Sequence, residues 1–360
     1  MENLVINTSF WCGRRVLITG HTGFKGSWLS LWLKMLNAQV YGYSTKPPTT
    51  PSLYKEANID EIIDDSYEGD IRDLSKFKEF VDAVNPEVVF HLAAQSLVRE
   101  SYAAPIETLS TNIIGSANIL EACKNTPSIK SIIIVTTDKC YENLDWVWPY
   151  RESDKLGGHD PYSASKACAE LVSASYKKSF YNDGIVATAR AGNVIGGGDW
   201  AKDRLIPDII KSHLAGLVTT IRNPNSIRPW QHVLEPLCGY LVLAQRISLD
   251  GKEYAQAWNF GPNNDALIPV SKIIEHIQKN INCKIDIELP ATDMHQVHEA
   301  STLALDSSLA ANKLNWHPTL SITQAISWTT QWYLSHHNKM SALSISEQQI
   351  NAFMERIQHG

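Results

Sequence analysis

The stretch "RVLITGHTGFKGSWL", residues 15–29, decides the fold. Its first half is an apolar, β-branched run that reads as a strand. Its second half places Gly20, Gly23 and Gly26 in a GxxGxxG spacing and runs into a helix-forming segment. Glycines between a strand and a helix permit a tight turn and let the backbone approach a pyrophosphate, which then sits at the positive end of the helix. At the first βα unit of a chain, this reads as a dinucleotide-binding turn, with Thr22 and Phe24 inside it. Lys25 is a candidate to reach a cofactor phosphate, and His21 to crowd the adenosine pocket and lower affinity. The second strand ends in Gly42, Tyr43 and Ser44, without the acidic residue that normally holds the adenosine ribose 2′-hydroxyl, so NAD and NADP both stay open at this point. Lys46, in "TKPPTTP", reads as an exposed loop residue, and Asp70 and Ile71 in "GDIRD" are the candidates to contact adenine.

Outward from that turn, short β-branched runs alternate with helix-like segments, the pattern of βαβ units and a parallel sheet. Strands are expected at 15–20, 39–44, 87–94, 131–137 and 184–191. The third and fourth are apolar almost throughout, as strands covered on both faces are. Between them, "PIETLSTNIIGSANILEACKN" carries Ile106, Leu109, Ile113, Ala117 and Leu120 at helical spacing, and "PYSASKACAELVSASYKKSF" opens a second helix with Pro161 in its first turn. The expected fold is therefore α/β: a doubly wound parallel Rossmann sheet with a smaller, partly interleaved C-terminal substrate-binding lobe. Residues 1–192 form the dinucleotide-binding domain, with segments about 232–262 returning to it. Residues 193–360 are mainly the substrate lobe and terminal helices, where Gly, Pro and Trp-rich loops ("GNVIGGGDWAKDRLIP", "RNPNSIRPWQHV") are the connections that carry binding.

Composition narrows the function classes. With 360 residues, 44% hydrophobic and 19% charged, and a net charge of −6, the chain has the make-up of a globular protein. It lacks the clustered positive surface that nucleic acid or an anionic membrane would need. No run approaches the ~18 to 20 apolar residues of a membrane span. Its six cysteines show no CxxC or Cys/His spacing, so no metal site or disulfide framework is expected, and reduced thiols in the cytoplasm are. His213, His317, His336 and His337 form no HxxxH or HExxH pair. Trp328 and Trp332, four apart in the terminal helix, read as core.

Tyr162 and Lys166 in "YSASK" lie four apart, on one face of a helix. An ammonium beside a phenol favours the phenolate, giving a base for a sugar hydroxyl. Together with the glycine turn and Thr137 at the end of the fourth strand, the chain resembles the extended short-chain dehydrogenase/reductase family. The resemblance runs through "HLAAQS" (91–96), "TNIIG" (111–115), "RAGNVIGGG" (190–198), "RPW" (228–230) and "WNFGP" (258–262).

The resemblance implies a Thr137, Tyr162, Lys166 catalytic set and bound NAD. The cofactor contacts it implies are the glycine turn, Asp70, Ile71, Leu92, Ala93, Ala94, Asn112, Thr136, Tyr162 and Lys166. For the substrate it implies Gln95, Ser96, Asn193, Arg204, Leu205, Arg228 and, with Glu299 beside it, His298. Asn259 and Gly261 are architectural, and His91 packs near a strand end.

After Thr137, the 4,6-dehydratases of the family usually carry Asp-Glu; here Asp138 and Lys139 follow. "TTDKCYEN", with "HTGFKGSWL" and "IRPWQHVLEPL", resembles the 4,6-dehydratases that take the small-molecule nucleotide sugar CDP-glucose. The resemblance implies that Asp138 is the acid at C6 and Lys139 the base at C5. The rival reading has Lys139 only orienting Asp138 or the sugar. Tyr141 is expected to pack beneath this loop. A homodimer through a four-helix bundle, with a tetramer also open, is implied as well. A sugar-nucleotide 4-epimerase, a dehydratase for another nucleotide, and a catalytically silent NAD-sensing scaffold are the competing readings; an epimerase has no use for the Asp138, Lys139 pair.

Overall fold

A computed structural model describes residues 6–182, 184–221, 223–263, 266–288 and 303–359. Among these, a seven-stranded sheet forms the centre: β1 (Arg15–Thr19), β2 (Gln39–Ser44), β3 (Asp65–Glu68), β4 (Val88–His91), β5 (Ser131–Val135), β6 (Val186–Arg190) and β7 (Ala257–Asn259). Every pairing is parallel, in the order β3-β2-β1-β4-β5-β6-β7. The order reverses between β1 and β4, and a crevice at such a switch point, beyond the carboxyl ends of the strands, is where ligands bind in sheets of this kind.

Alternate side chains of the central strands enter two separate cores, so both faces are covered there. Val16 and Ile18 of β1 join Phe90, Ile133 and the helices α1 (Phe24–Met35) and α5 (Leu234–Asp250) on one face. Leu17, Val89, Ile132 and Ile134 pack on the other against Phe77 and Phe80 of α2 (Leu74–Val84), together with Ile119 and Leu120. The apolar runs of β4 and β5 have this cause. Each such buried side chain contributes roughly 1.5–3 kcal/mol, which is why Ile132, Ile133 and Ile134 can all be apolar at neighbouring positions.

Three departures from the expected elements have physical reasons. The two edge strands escape pattern reading: β3 is "DSYE", exposed at every position, and β7 has only three residues. The helix at 105–123 is interrupted: Pro105–Leu109 and Gly115–Cys123 are joined by a π-helical segment, Ser110–Ile114. The wider turn shifts the buried face onto Thr108, Asn112, Gly115, Ser116 and Ile119, leaving Ile106, read as apolar-face, 77% exposed. His21, expected to crowd the adenosine pocket, borders the cavity at Thr22 and Ser44 and is itself buried edge-on against Tyr54, with Nε2 on Ser66 Oγ at 2.8 Å and its ring against Gly42. Burial lowers its pKa to about 4.

Helix α3 (Pro161–Phe180) begins where Asp160 accepts from the Ser163 N–H at 2.9 Å and its hydroxyl at 2.6 Å, with Pro161 at the first helical position. Beyond β6, residues Val194–Ile195 pair with Gln231–His232, and Ile227–Pro229 with Leu267–Pro269. Between them lies α4 (Leu205–Leu214). α6 (Ile322–His337), opened by a Ser321/Gln324 capping box, packs on the helix at 270–281 and the strand at 231–232, and α7 (Ala342–His359) returns against both α6 and α1. Trp332 is fully buried and Trp328 packs partly buried on the same core, as the sequence leads one to expect. No helix of the described residues is long and apolar enough to cross a membrane.

Candidate active site

Gly20 leaves β1 with φ +77°, and the Gly23 N–H returns to its carbonyl at 3.1 Å. A Cβ at Gly26 would come within 2.1 Å of the Gly20 oxygen, so only glycine lets the helix start this close to the strand. The residue before α1, Gly23, provides no side-chain cap. The first-turn N–H groups of a 12-residue helix thus face the crevice without a side-chain acceptor, an arrangement that suits a pyrophosphate. At the β2 end, the Thr22 and Ser44 hydroxyls meet at 2.8 Å where an acidic residue is missing. They line a cavity of about 870 Å³ with Lys46, Pro47 and Tyr54, and none of Thr137, Tyr162 and Lys166 borders it. Lys46 stays on the surface, 80% exposed along its side chain. Asp70 binds the Arg72 guanidinium through both oxygens, which lowers its pKa, and Ile71 is buried. Leu92, Ala93 and Ala94 follow β4 half-buried.

The opposite flank holds the reactive side chains. After β5 the chain makes one tight turn, Asp138–Cys140, capped by the Thr137 hydroxyl, which accepts from the Lys139 N–H at 3.3 Å. Thr137 Oγ1 also donates to Asp138 Oδ1 at 2.9 Å and lies near enough to the Tyr162 phenol to work against the rise in its pKa. Asp138 is 2% exposed, its carboxyl lying on Gly192, where a Cβ would stand 1.9 Å from Oδ2. Thr137, Asp138 and Tyr162 are therefore in one contiguous group.

Lys166, a turn beyond Tyr162 on α3, donates to the Val135 carbonyl at 3.1 Å. Burial lowers its pKa to about 8, against a raising effect of Glu170. For Tyr162 the expected lowering does not appear: burial pushes it up to about 12, the Thr137 hydroxyl being the first opposing influence. The Lys166 ammonium is directed at a backbone carbonyl instead. Lys25 is turned toward this end, 5.9 Å above the Tyr240 ring. Burial first, then Arg204 and Lys166, lowers its pKa to about 7.

Around this group, Asn112 on the π-helical turn ties Gln95 to α3: it accepts from the Gln95 N–H at 2.9 Å and donates to Ser165 Oγ at 2.8 Å. The Gln95 side chain, expected on substrate, is instead spent on Thr108 and the Leu97 carbonyl, because the turn after β4 needs those bonds. Ser96 is exposed. Asn193 takes φ +38° and accepts the Gln231 N–H at 3.3 Å. Arg204, next to Leu205 at the start of α4, pairs with buried Asp199 at 3.5 Å. Arg228 lies half-buried on the strand at 227–229 and donates to the Ile227 carbonyl. His298 and Glu299 lie outside the described residues. His91 packs as expected, buried between Thr19 and Ser116. The described residues contain no group of three or more His, Cys, Asp or Glu able to hold a metal ion.

One set of residues was not anticipated. Glu170 and Arg190, each almost fully buried, pair at 2.7 Å directly beneath the reactive group. Glu170 also accepts from Thr136 and Thr188. The signal was present: Glu170 continues the Tyr162, Lys166 spacing by four, and Arg190 is a charge ending an apolar strand.

The sequence model of the GDP-mannose 4,6 dehydratase family matches residues 17–329. The chain belongs to that family. It is 45% identical, over 97% of its length and 99% of the relative's, to a CDP-glucose 4,6-dehydratase of Salmonella typhimurium. A dTDP-glucose 4,6-dehydratase of Xanthomonas campestris is 26% identical over 89% of this chain and 93% of its own. Among solved structures, the NAD complex of dTDP-glucose 4,6-dehydratase from Bacillus anthracis superposes with a TM-score of 0.75 at 23% identity, covering 91% of this chain and 99% of that one. That likeness bears out the doubly wound fold.

Proposed function

We propose that the chain is an NAD-dependent 4,6-dehydratase converting CDP-D-glucose to CDP-4-dehydro-6-deoxy-D-glucose and water. The observation that carries this reading is the turn at Thr137, Asp138 and Lys139: an acid and an amine beside a Tyr162, Lys166 pair, in a chain 45% identical to a CDP-glucose 4,6-dehydratase. An epimerase needs only the redox set.

The glycine turn and uncapped start of α1 fit the NAD pyrophosphate. NAD, when bound, accepts hydride from C4 of the sugar and returns it to C6. Tyr162 takes the 4-hydroxyl proton, polarised by Thr137 and Lys166, and the resulting ketone makes the C5 hydrogen acidic. Lys139, in its neutral form, removes that proton, and after water has left as a C5=C6 double bond forms it gives a proton back to C5 as hydride adds at C6. Asp138, in its protonated form, gives its proton to the C6 oxygen as the C6–O bond breaks and water leaves. Asp138, buried against Gly192 and bonded to Thr137, is held in place for that transfer. Arg204 and Arg228 are the proposed diphosphate partners, as planar guanidinium forks match phosphate oxygens. Asn193 is placed with them on the sugar nucleotide.

In this reading residues 1–192 and about 232–262 carry the cofactor, and the rest of 193–360 the sugar nucleotide. Ile106, Ile114 and Leu171, exposed at 77%, 52% and 58% on the two neighbouring helices, support a homodimer through a four-helix bundle. The enzyme is placed in the cytoplasm. Incubation with CDP-, dTDP-, UDP- and GDP-glucose plus NAD, followed by mass spectrometry, is expected to show loss of water from the CDP sugar above all. Equal turnover of another nucleotide would reassign the substrate, and no dehydration of any would overturn the activity.

A further inference from the structure

Asp138 and Lys139 stand on a short turn whose internal hydrogen bonds are weak, its far end being tied to the chain at 155–157 by the Cys140 carbonyl, which accepts from the Gly157 N–H at 2.9 Å. Within it the Cys140 N–H reaches the Thr137 carbonyl at 3.3 Å and the Tyr141 N–H reaches that of Asp138 at 3.5 Å, both long. Tyr162 and Lys166, by contrast, ride on a 20-residue helix capped by Asp160. Tyr141, the residue next in the chain, holds the turn in place. Its ring is buried, stacked on Tyr150 at 5.1 Å, and its hydroxyl accepts from Arg190 Nη1 at 2.7 Å and donates to Asn259 Oδ1 at 2.8 Å. Arg190 also binds the Glu152 carbonyl at 3.1 Å, and its other arm is locked by Glu170. Asn259 closes the assembly by donating to the carbonyls of Tyr150 and Asp306.

A buried ion pair is a poor device for stability, because desolvating both charges offsets most of their attraction and apolar side chains of the same volume would serve. Its value here lies in location. Each of its members sits beside a reactive residue: Thr136 before Thr137, Glu170 one turn past Lys166, Arg190 two residues before the Gly192 that Asp138 packs on, and Tyr141 at the end of the acid/base turn. Resting on the dehydratase reading above, we infer that Arg190 and Tyr141 are positioning residues for the elimination step: Arg190, fixed by Glu170, holds the Tyr141 hydroxyl and with it the turn that presents Asp138 and Lys139. Of the redox residues, Tyr162 and Lys166 are carried by α3 and make no bond to the Tyr141 hydroxyl, and Thr137 stands at the β5 side of the turn, the end away from Tyr141. In that step Lys139 takes the C5 proton, the C6–O bond breaks, and the Asp138 proton leaves with the oxygen as water.

Tyr141→Phe tests this, because it keeps the ring stack and the Arg190 face contact, 4.9 Å from the ring, and removes only the hydroxyl. The expected result is a kcat lowered roughly tenfold to a hundredfold, the cost of a small misplacement of reacting groups, with KM unchanged. Reduced cofactor should then build up during turnover, seen as a rise in near-ultraviolet absorbance, because substrate oxidation continues while elimination lags. Arg190→Lys, which keeps the charge against Glu170 but loses the fork, is expected to show the same build-up. A variant with wild-type kcat, or one in which oxidation slows as much as overall turnover so that no reduced cofactor accumulates, would overturn the inference. Wild-type enzyme run alongside separates the two claims: failure of the wild type to dehydrate any nucleotide sugar strikes the activity, whereas a normal wild type with a normal Tyr141→Phe strikes only the positioning role.

Discussion

Asp138 is nearly sealed from solvent while its neighbour Lys139 is half-exposed, and the proposed reaction gives the two different roles. The Asp138 carboxyl is pressed on Gly192 and bonded to Thr137, which fixes its position, whereas the half-exposed Lys139 is within reach of solvent. Two substitutions distinguish them. Lys139→Met should abolish exchange of the sugar C5 hydrogen with solvent deuterium while substrate oxidation survives. Asp138→Asn should leave C5 exchange in place and slow loss of water by about 10²–10⁴, the usual contribution of a positioned acid. Nuclear magnetic resonance of the recovered sugar reads both; C5 exchange persisting in Lys139→Met would remove Lys139 from the base role. These residues were legible because a polar acid/amine pair ends an apolar strand. The Glu170, Arg190 pair was not legible as a pair, because two charges twenty positions apart reveal their partnership only when β6 and α3 pack together.

At the scale of elements, the β1–α1 turn was the most legible feature, since its glycines answer a local steric demand that needs no tertiary context. Gly26→Ala should therefore act on cofactor binding before it acts on the fold. Saturating NAD raises stability by about 2.7 kcal/mol at a hundredfold excess over Kd, and thermal melts are expected to show that increment in the wild type and its loss in Gly26→Ala. An undiminished NAD-dependent rise in Tm would place the pyrophosphate elsewhere. Periodicity served less well where a face is neither apolar nor regular. The 105–123 helix buries Thr108, Asn112 and Ser116 and leaves Ile106 outside, so of the expected apolar stripe only its far end, Leu120, is fully buried. Its π-helical turn, which aims Asn112 at both Gln95 and Ser165, has no signature in residue spacing. The edge strands β3 and β7 escaped because one is wholly polar and the other three residues long, each relying on a neighbour already in place.

For the whole molecule, the sheet order explains why one crevice can serve both halves of the proposed reaction. The switch point between β1 and β4 puts the uncapped start of α1 at the centre, the Thr22, Ser44 cavity on the β2 flank, and the Thr137, Asp138, Tyr162, Lys166 group on the β5 flank. After β6, Arg204 comes back near Tyr162 and Lys25 on that second flank, and β7 pairs with β6 and through Asn259 holds Tyr141 at the end of the turn carrying Asp138. A cofactor that spans the crevice can take a hydride and give it back without leaving, so the redox change cancels and only water is lost. That internal return is the central claim. CDP-glucose deuterated at C4, turned over with unlabelled NAD, should yield a dehydrated product carrying the deuterium at C6. A product that has lost the label to solvent, or a sugar that retains it at C4 with no water lost, would contradict the claim, the latter being the mark of an epimerase.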